Sequence, residues 1–155
     1  LGGCARILAD ELADAEESDL FMIGSIDGIR VPIGDNYSYS ASKAGIHMMA
    51  RHMAAHLVRD NITINSIAPG PIDNTEGMRR LGPDDPKLHD RLRAAIPLGR
   101  YGTVDEIGQA AVFLASPLAA YITGTLLVVD GGQNLPGSGA FTELLTAALK
   151  DNRSS

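Results

Sequence analysis

Asn61-Ile-Thr-Ile-Asn-Ser-Ile67, running into Ala68-Pro69-Gly70-Pro71, decides how this chain folds. The run is β-branched and apolar, and a Pro-Gly turn closes it, as expected of a buried strand. Upstream, Asp19-Leu-Phe-Met-Ile23 is a second short apolar run, ending at Gly24-Ser25. Downstream, Thr125-Leu-Leu-Val-Val129 is a third, ending at Asp130-Gly131-Gly132. Helical segments separate them, one from Tyr39 to Arg59 and one from Val104 to Ala115. Strand, helix, strand, helix, strand is the order of an α/β parallel sheet with right-handed crossovers. Such sheets bind ligands beyond the carboxyl ends of their strands. Ser25, the Pro69-Gly70 turn and the Asp130-Gly131-Gly132 turn are therefore expected along one rim.

The helix that follows Ser25 opens with Tyr39-Ser-Ala-Ser-Lys43, a phenol and an ammonium four residues apart. Residues at that spacing share a helix face. A lysine held near a tyrosine oxygen favours the phenolate. At roughly 4 Å and an effective dielectric of about 20 the attraction is about 4 kcal/mol. Such a tyrosine is suited to giving and taking a proton near neutral pH. An exposed helical pair without function has the same spacing. The convergence of this helix with the three turns on one rim is what favours chemistry.

With these residues in view the chain resembles the C-terminal half of a short-chain dehydrogenase/reductase. The matching features begin with Ile23-Gly24-Ser25 and Gly28, then Tyr39-x-x-x-Lys43 with Ala44-Gly45, and Ile64-Asn65-Ser66-Ile67-Ala68-Pro69-Gly70. They continue through Ile96-Pro97-Leu98-Gly99-Arg100 with Glu106-Ile107, and Phe113-Leu114-Ala115-Ser116. Tyr121-Ile-Thr-Gly124 and Val129-Asp-Gly-Gly132 complete the series. Within the family the wording is similar to β-ketoacyl (3-oxoacyl) reductases, including the rhamnolipid-type branch.

The resemblance implies an NAD(P)H-dependent oxidoreductase that reduces a ketone or 3-oxoacyl group by hydride transfer. Tyr39 would be the proton donor, and Lys43 would tune it and hold the nicotinamide ribose. Ser25 would hydrogen-bond the substrate carbonyl oxygen. Tyr39, Lys43, Pro69, Gly70, Ile72 and Asn74 would meet the nicotinamide end of the cofactor. Gly70 suits that place, since a missing Cβ permits close approach of backbone to ligand. The subfamily wording favours NADP over NAD. Partners implied are a small carbonyl or acyl substrate and further copies of the chain. A homodimer or homotetramer would form through helices 5–17 and 39–59, with Ile46, Met49, Met53 and Leu57 along the seam or packed on the sheet.

Three departures accompany the match. Ser25 stands fourteen positions before Tyr39, one more than is usual, which places an extra residue in the loop between Gly28 and Tyr37. Asn74 stands where the family has Thr or Ser, with Thr75 one place late. Leu1-Gly2-Gly3 lacks the family's Gly-x-x-x-Gly-x-Gly turn and first strand. The expected architecture is thus a partial Rossmann-type doubly wound sheet of three C-terminal strands, with the N-terminal cofactor-binding half missing. Residues 1–133 form that portion and residues 134–155 an extension bearing a short amphipathic helix at 141–150. A non-catalytic fragment that dimerises without holding a dinucleotide is the alternative function.

Composition is compatible with an aqueous α/β protein. The formal charge of −6 and the lack of a basic cluster argue against nucleic-acid binding. A single cysteine, Cys4, forms no internal disulfide and fits a cytoplasmic setting. No apolar run reaches membrane-spanning length, so no membrane partner is expected. His47, His52 and His56 share one helix, but no third metal ligand is placed with His52 and His56. They read as surface or interface histidines, and no metal is expected. Thr103-x-x-Glu106 reads as a capping box, with Ile107, Ala110, Ala111 and Leu114 inward. Residues 74–95 fall where the family has a substrate lid. There Gly77, Gly82 and Pro83 are expected to break the chain, and Asp85-Pro86 to start a short helix with Leu88 and Leu92. Met78 and Leu81 are candidates to meet an acyl chain, and Arg79 and Arg80 to attract an anionic carrier or, as is commoner, to be solvated charges.

Overall fold

The computed structural model describes residues 18–31, 35–80 and 85–135. A three-stranded sheet, in the order β1-β2-β3, is parallel throughout. Its strands are β1 (Ser18–Ile23), β2 (Ile62–Pro69) and β3 (Leu126–Val129). Leu20 lies opposite Ile64, and Ile67 opposite Leu127. Helix α1 (Tyr37–Leu57) connects β1 to β2. Helices α2 (Glu76–Arg80), α3 (Pro86–Ala94) and α4 (Val104–Leu114) lie between β2 and β3.

Strand β2 holds the two layers together because its alternate side chains point to opposite faces. Ile62 and Ile64 join Ala50 and Ala54 of α1 in one core cluster. Ile67 joins Leu114 of α4 and Ala119 in another. A strand covered on both faces reads as a continuous apolar run rather than an alternating one. Ile64, Ile67 and Ala68 are accordingly all fully buried. Asn65, also buried, donates its side-chain amide to the Ile122 carbonyl and accepts from the Thr125 amide, which ties β2 to the approach of β3.

Local signals explain most element ends. Asp85 caps α3 by accepting from the Lys87 amide, with Pro86 in the first turn. Thr103 and Glu106 form a reciprocal capping box at the start of α4. Arg100 adds a two-pronged contact to the same carboxylate, Nη2 to Oε1 at 2.6 Å and Nη1 to Oε2 at 3.0 Å. Helix α1 begins at Tyr37, two residues before the expected start. It runs into a 3-10 turn, Val58–Asp60, which Asn61 closes with a left-handed φ of 56°.

Two expectations, for Gly77 and Met78, are corrected. Gly77 does not break the chain but lies inside α2, since one glycine costs a helix only about 1 kcal/mol. Met78 does not face a ligand; it is buried with Ile96 and Tyr101 in a third cluster. Met53 and Leu57 pack against the core beneath α1, while Met48 on the same helix is exposed. Arg79 pairs with Glu76 at the surface. The helices expected at 5–17 and 141–150, with Leu81, Gly82 and Pro83, lie outside the described residues.

Two measurements probe this arrangement. Ile64→Ala should lower unfolding stability by about 2–5 kcal/mol, because a fully buried side chain leaves a cavity at the sheet centre; chemical denaturation reads this. Hydrogen bonds from Arg100 and from the Thr103 amide lower the Glu106 carboxyl from 4.5 to about 2. A carboxylate with a depressed folded-state pKa stabilises fully above its unfolded value and loses that contribution as pH falls through the folded one. Thermal midpoints should therefore decline between about pH 4.5 and pH 2 more steeply in the native protein than in Glu106→Gln.

Candidate functional site

Ser25 occupies the carboxyl end of β1. The Gly24 amide still reaches the Ile67 carbonyl at 2.8 Å, so the chain leaves the sheet only at Ser25. Ser25 then caps a 3-10 turn, Ile26–Gly28, its Oγ accepting from the Asp27 amide at 3.1 Å. A hydroxyl has one donor and two acceptor positions. One acceptor position is used here, and the hydroxyl hydrogen has no acceptor among the described residues.

The two glycines beside Ser25 let helix α1 lie against this strand end. A Cβ on Gly24 would run into the His47 imidazole, and one on Gly28 would come within 2.7 Å of the Ala44 nitrogen and the Lys43 carbonyl carbon. From α1, Tyr39 stands 45 % exposed in the first turn. Lys43, one turn on, places Nζ 5.6 Å from the centroid of the Tyr39 ring. The same ammonium donates to the Ile23 carbonyl at 3.3 Å. Lys43 therefore links the phenol-bearing turn of α1 to the strand end that carries Ser25, and two of its three donors are not taken up by that bond.

The turn after β2 completes the rim. Gly70 donates to the Val129 carbonyl, and a Cβ on it would sit 2.8 Å from Asp130 Cα. Its missing side chain thus serves the packing of β2 on the β3 turn, where the sequence suggested approach to a ligand. Ile72 forms a bridge with Gly102, and its own amide has no acceptor among the described residues. Asn74 is exposed and left-handed, with a φ of 56°. The Thr75 hydroxyl is committed to the Ile72 carbonyl and to capping the Met78 amide. A pocket of about 110 Å³ opens beside this turn, lined by Pro71, Ile72, Leu98, Arg100, Glu106 and Asp130. Ligand pockets usually span roughly 300–1,000 Å³, so this pocket is small beside them.

Strand β1 and the first two turns of α1 bring Ser25, Tyr39 and Lys43 to one end of the sheet. Pro69 ends β2 at the same end, and Gly70, Ile72 and Asn74 follow it. His47 is not at the surface, as its residue type suggested. It is 5 % exposed and its Nε2 lies 2.9 Å from the Ser25 carbonyl oxygen. The spacing 39, 43, 47 holds the signal that would have found it, a stripe of one side chain per turn on a single helix face. His52 and His56 are exposed, their rings 4.9 Å apart. Among the described residues no three metal-ligating side chains cluster.

Residues 3–134 match the profile of a family described as enoyl-(acyl carrier protein) reductase. The chain belongs to the short-chain dehydrogenase/reductase family. It is similar to the peroxisomal 2,4-dienoyl-CoA reductase of Saccharomyces cerevisiae, 39 % identical over 145 residues, or 94 % of this chain and 48 % of that protein. It is also similar to the rhamnolipid-biosynthesis 3-oxoacyl-[acyl-carrier-protein] reductase of Pseudomonas aeruginosa, 38 % identical over 73 % of this chain and 43 % of that protein. The solved NADP complex of RhlG from Pseudomonas aeruginosa superposes with a TM-score of 0.72 at 36 % identity, covering 83 % of this chain and 50 % of that one. The chain thus spans about half the length of these relatives, and a partial Rossmann-type sheet is what it carries.

Gly24→Ala should destabilise the protein by about 1–3 kcal/mol, because the added methyl overpacks against His47. Gly45→Ala adds a methyl where nothing lies within 4 Å, and should leave stability unchanged or raised. Paired denaturation curves of the two variants check this.

Proposed function

We propose that the protein is an NAD(P)H-dependent reductase of a ketone or 3-oxoacyl group, with Ser25, Tyr39 and Lys43 as its catalytic residues. The observation that carries this reading is the position of Lys43, set between the Tyr39 ring and the strand end at Ile23 that leads into Ser25. When bound, the dinucleotide supplies the hydride that reaches the carbonyl carbon. Ser25 holds the carbonyl oxygen with its uncommitted hydroxyl hydrogen. Tyr39 gives that oxygen the proton that completes an alcohol, and the Lys43 ammonium stabilises the phenolate left behind.

The residues suit the nicotinamide end of such a cofactor. Lys43 has donors for a ribose, and the Ile72 amide and the Asn74 side chain would meet a carboxamide beyond Pro69-Gly70. Solved relatives include complexes with NADP and with NADH; we propose NADP on the likeness to the rhamnolipid-type reductase. We further propose residues 1–133 as the Rossmann portion and 134–155 as an extension. Self-association would run through segments 5–17 and 39–59, to which Met48 contributes an exposed apolar side chain. No helix among the described residues is long and apolar enough to cross a membrane. The setting proposed is an aqueous compartment, the cytoplasm or, as for the yeast relative, the peroxisome.

A second reading, reduction of a conjugated carbon–carbon double bond in an acyl thioester, is supported by the yeast 2,4-dienoyl-CoA reductase, which aligns over 94 % of the chain. Assays of the full-length protein with 3-oxoacyl and 2,4-dienoyl thioesters separate the two. For carbonyl reduction, Tyr39→Phe should lower kcat by at least about 100-fold, the scale of a lost general acid, with dinucleotide affinity retained. Lys43→Ala should reduce both. A fully active Tyr39→Phe would point instead to Tyr37.

A further inference from the structure

We propose that His47 is a positioning residue for Ser25, the buried latch that sets the strand end carrying Ser25 against the helix carrying Tyr39 and Lys43. The proposal rests on the reading of Ser25 as a substrate-binding group. Its geometry is that of one imidazole spanning two strands from a helix. Nε2 lies 2.9 Å from the Ser25 carbonyl oxygen, and Nδ1 lies 3.3 Å from Ser66 Oγ on β2. The ring is 5 % exposed, and Ser25 and Ser66 are buried as well. A buried polar ring of this kind has to be satisfied by the protein itself.

The tautomer follows from the partners. A carbonyl oxygen only accepts, so Nε2 carries a hydrogen and donates it. In the neutral ring Nδ1 is then an acceptor facing the Ser66 hydroxyl at 3.3 Å, whose single hydrogen also has the Thr125 carbonyl within reach at 3.4 Å. The Ser25 amide also lies 3.4 Å from Nε2, but that contact requires a bare nitrogen and is the longer of the two. The bond to Ser25 fixes its main chain, while Oγ remains turned toward the Asp27 amide with its hydrogen free. Gly24 and Gly28 border the ring, at positions where a Cβ would displace it. Lys43 and His47 therefore hold the strand end from successive turns of one helix, one and two turns beyond Tyr39. The phenol stands at the rim, the ammonium holds the Ile23 carbonyl and the imidazole holds the Ser25 carbonyl.

The test combines kinetics with a spectroscopic readout of the unmodified protein. His47→Phe keeps a ring but removes the donor. In the full-length protein it should lower kcat for carbonyl reduction about 10- to 100-fold, the scale of a small misplacement of a reacting group. KM for the dinucleotide should hardly change. His47→Gln, whose amide supplies a donor at similar reach, should recover most of the loss. In a Ser25→Ala background His47→Phe should add little, since residues acting through one another are not additive. Equal losses in both backgrounds would overturn the proposal. A fully active Ser25→Ala would instead remove the site reading on which it stands, and the proposal with it. Nitrogen-15 shifts of the His47 ring at neutral pH should show the Nε2–H tautomer; the Nδ1–H tautomer would overturn the latch without recourse to any variant.

Discussion

The burial of β2 on both faces is the constraint on which the rest of the structure depends. Ile62 and Ile64 bring α1 to one side of the sheet, and Ile67 brings α4 to the other. Hydrophobic burial is non-directional, so it sets which layers meet rather than the angles at which side chains arrive. The rim at the carboxyl ends of the strands inherits its position from this packing. Moving either helix would expose residues that are fully buried.

Direction enters through polar groups at the edge of that apolar sandwich. Lys43 and His47 each hold a main-chain carbonyl at the end of β1, and Asn65 holds the approach to β3 through two hydrogen bonds. Single bonds of this kind contribute about 1 kcal/mol net, yet leaving a buried partner unmade costs more. They therefore specify geometry more than they add stability. Glycines at 24, 28 and 70 make the close contacts possible, each where a Cβ would strike a neighbouring element.

The functional reading uses the same economy of parts. A single helix presents phenol, ammonium and imidazole on successive turns, and a single strand end presents the serine.

The three strands, the crossover helices between them and the Tyr39-x-x-x-Lys43 spacing were legible in the chain alone, because apolar periodicity and helical geometry are local properties. The capping box at Thr103 and Glu106 and the cap at Asp85 were legible for the same reason. What the linear order did not carry were contacts between segments far apart along it. Met78 was read as facing a substrate and proved to be core. Gly70 was read as clearance for a ligand, and the tertiary structure adds a second need for it, clearance for Asp130. His47 was read as a surface histidine and proved to be buried against Ser25 and Ser66. Residue type and local spacing determine which side chains share a helix face or end a strand. Only the packing of α1 on β1 and β2 decides which of them are buried, and burial turns an ordinary histidine into a fixed hydrogen-bond donor.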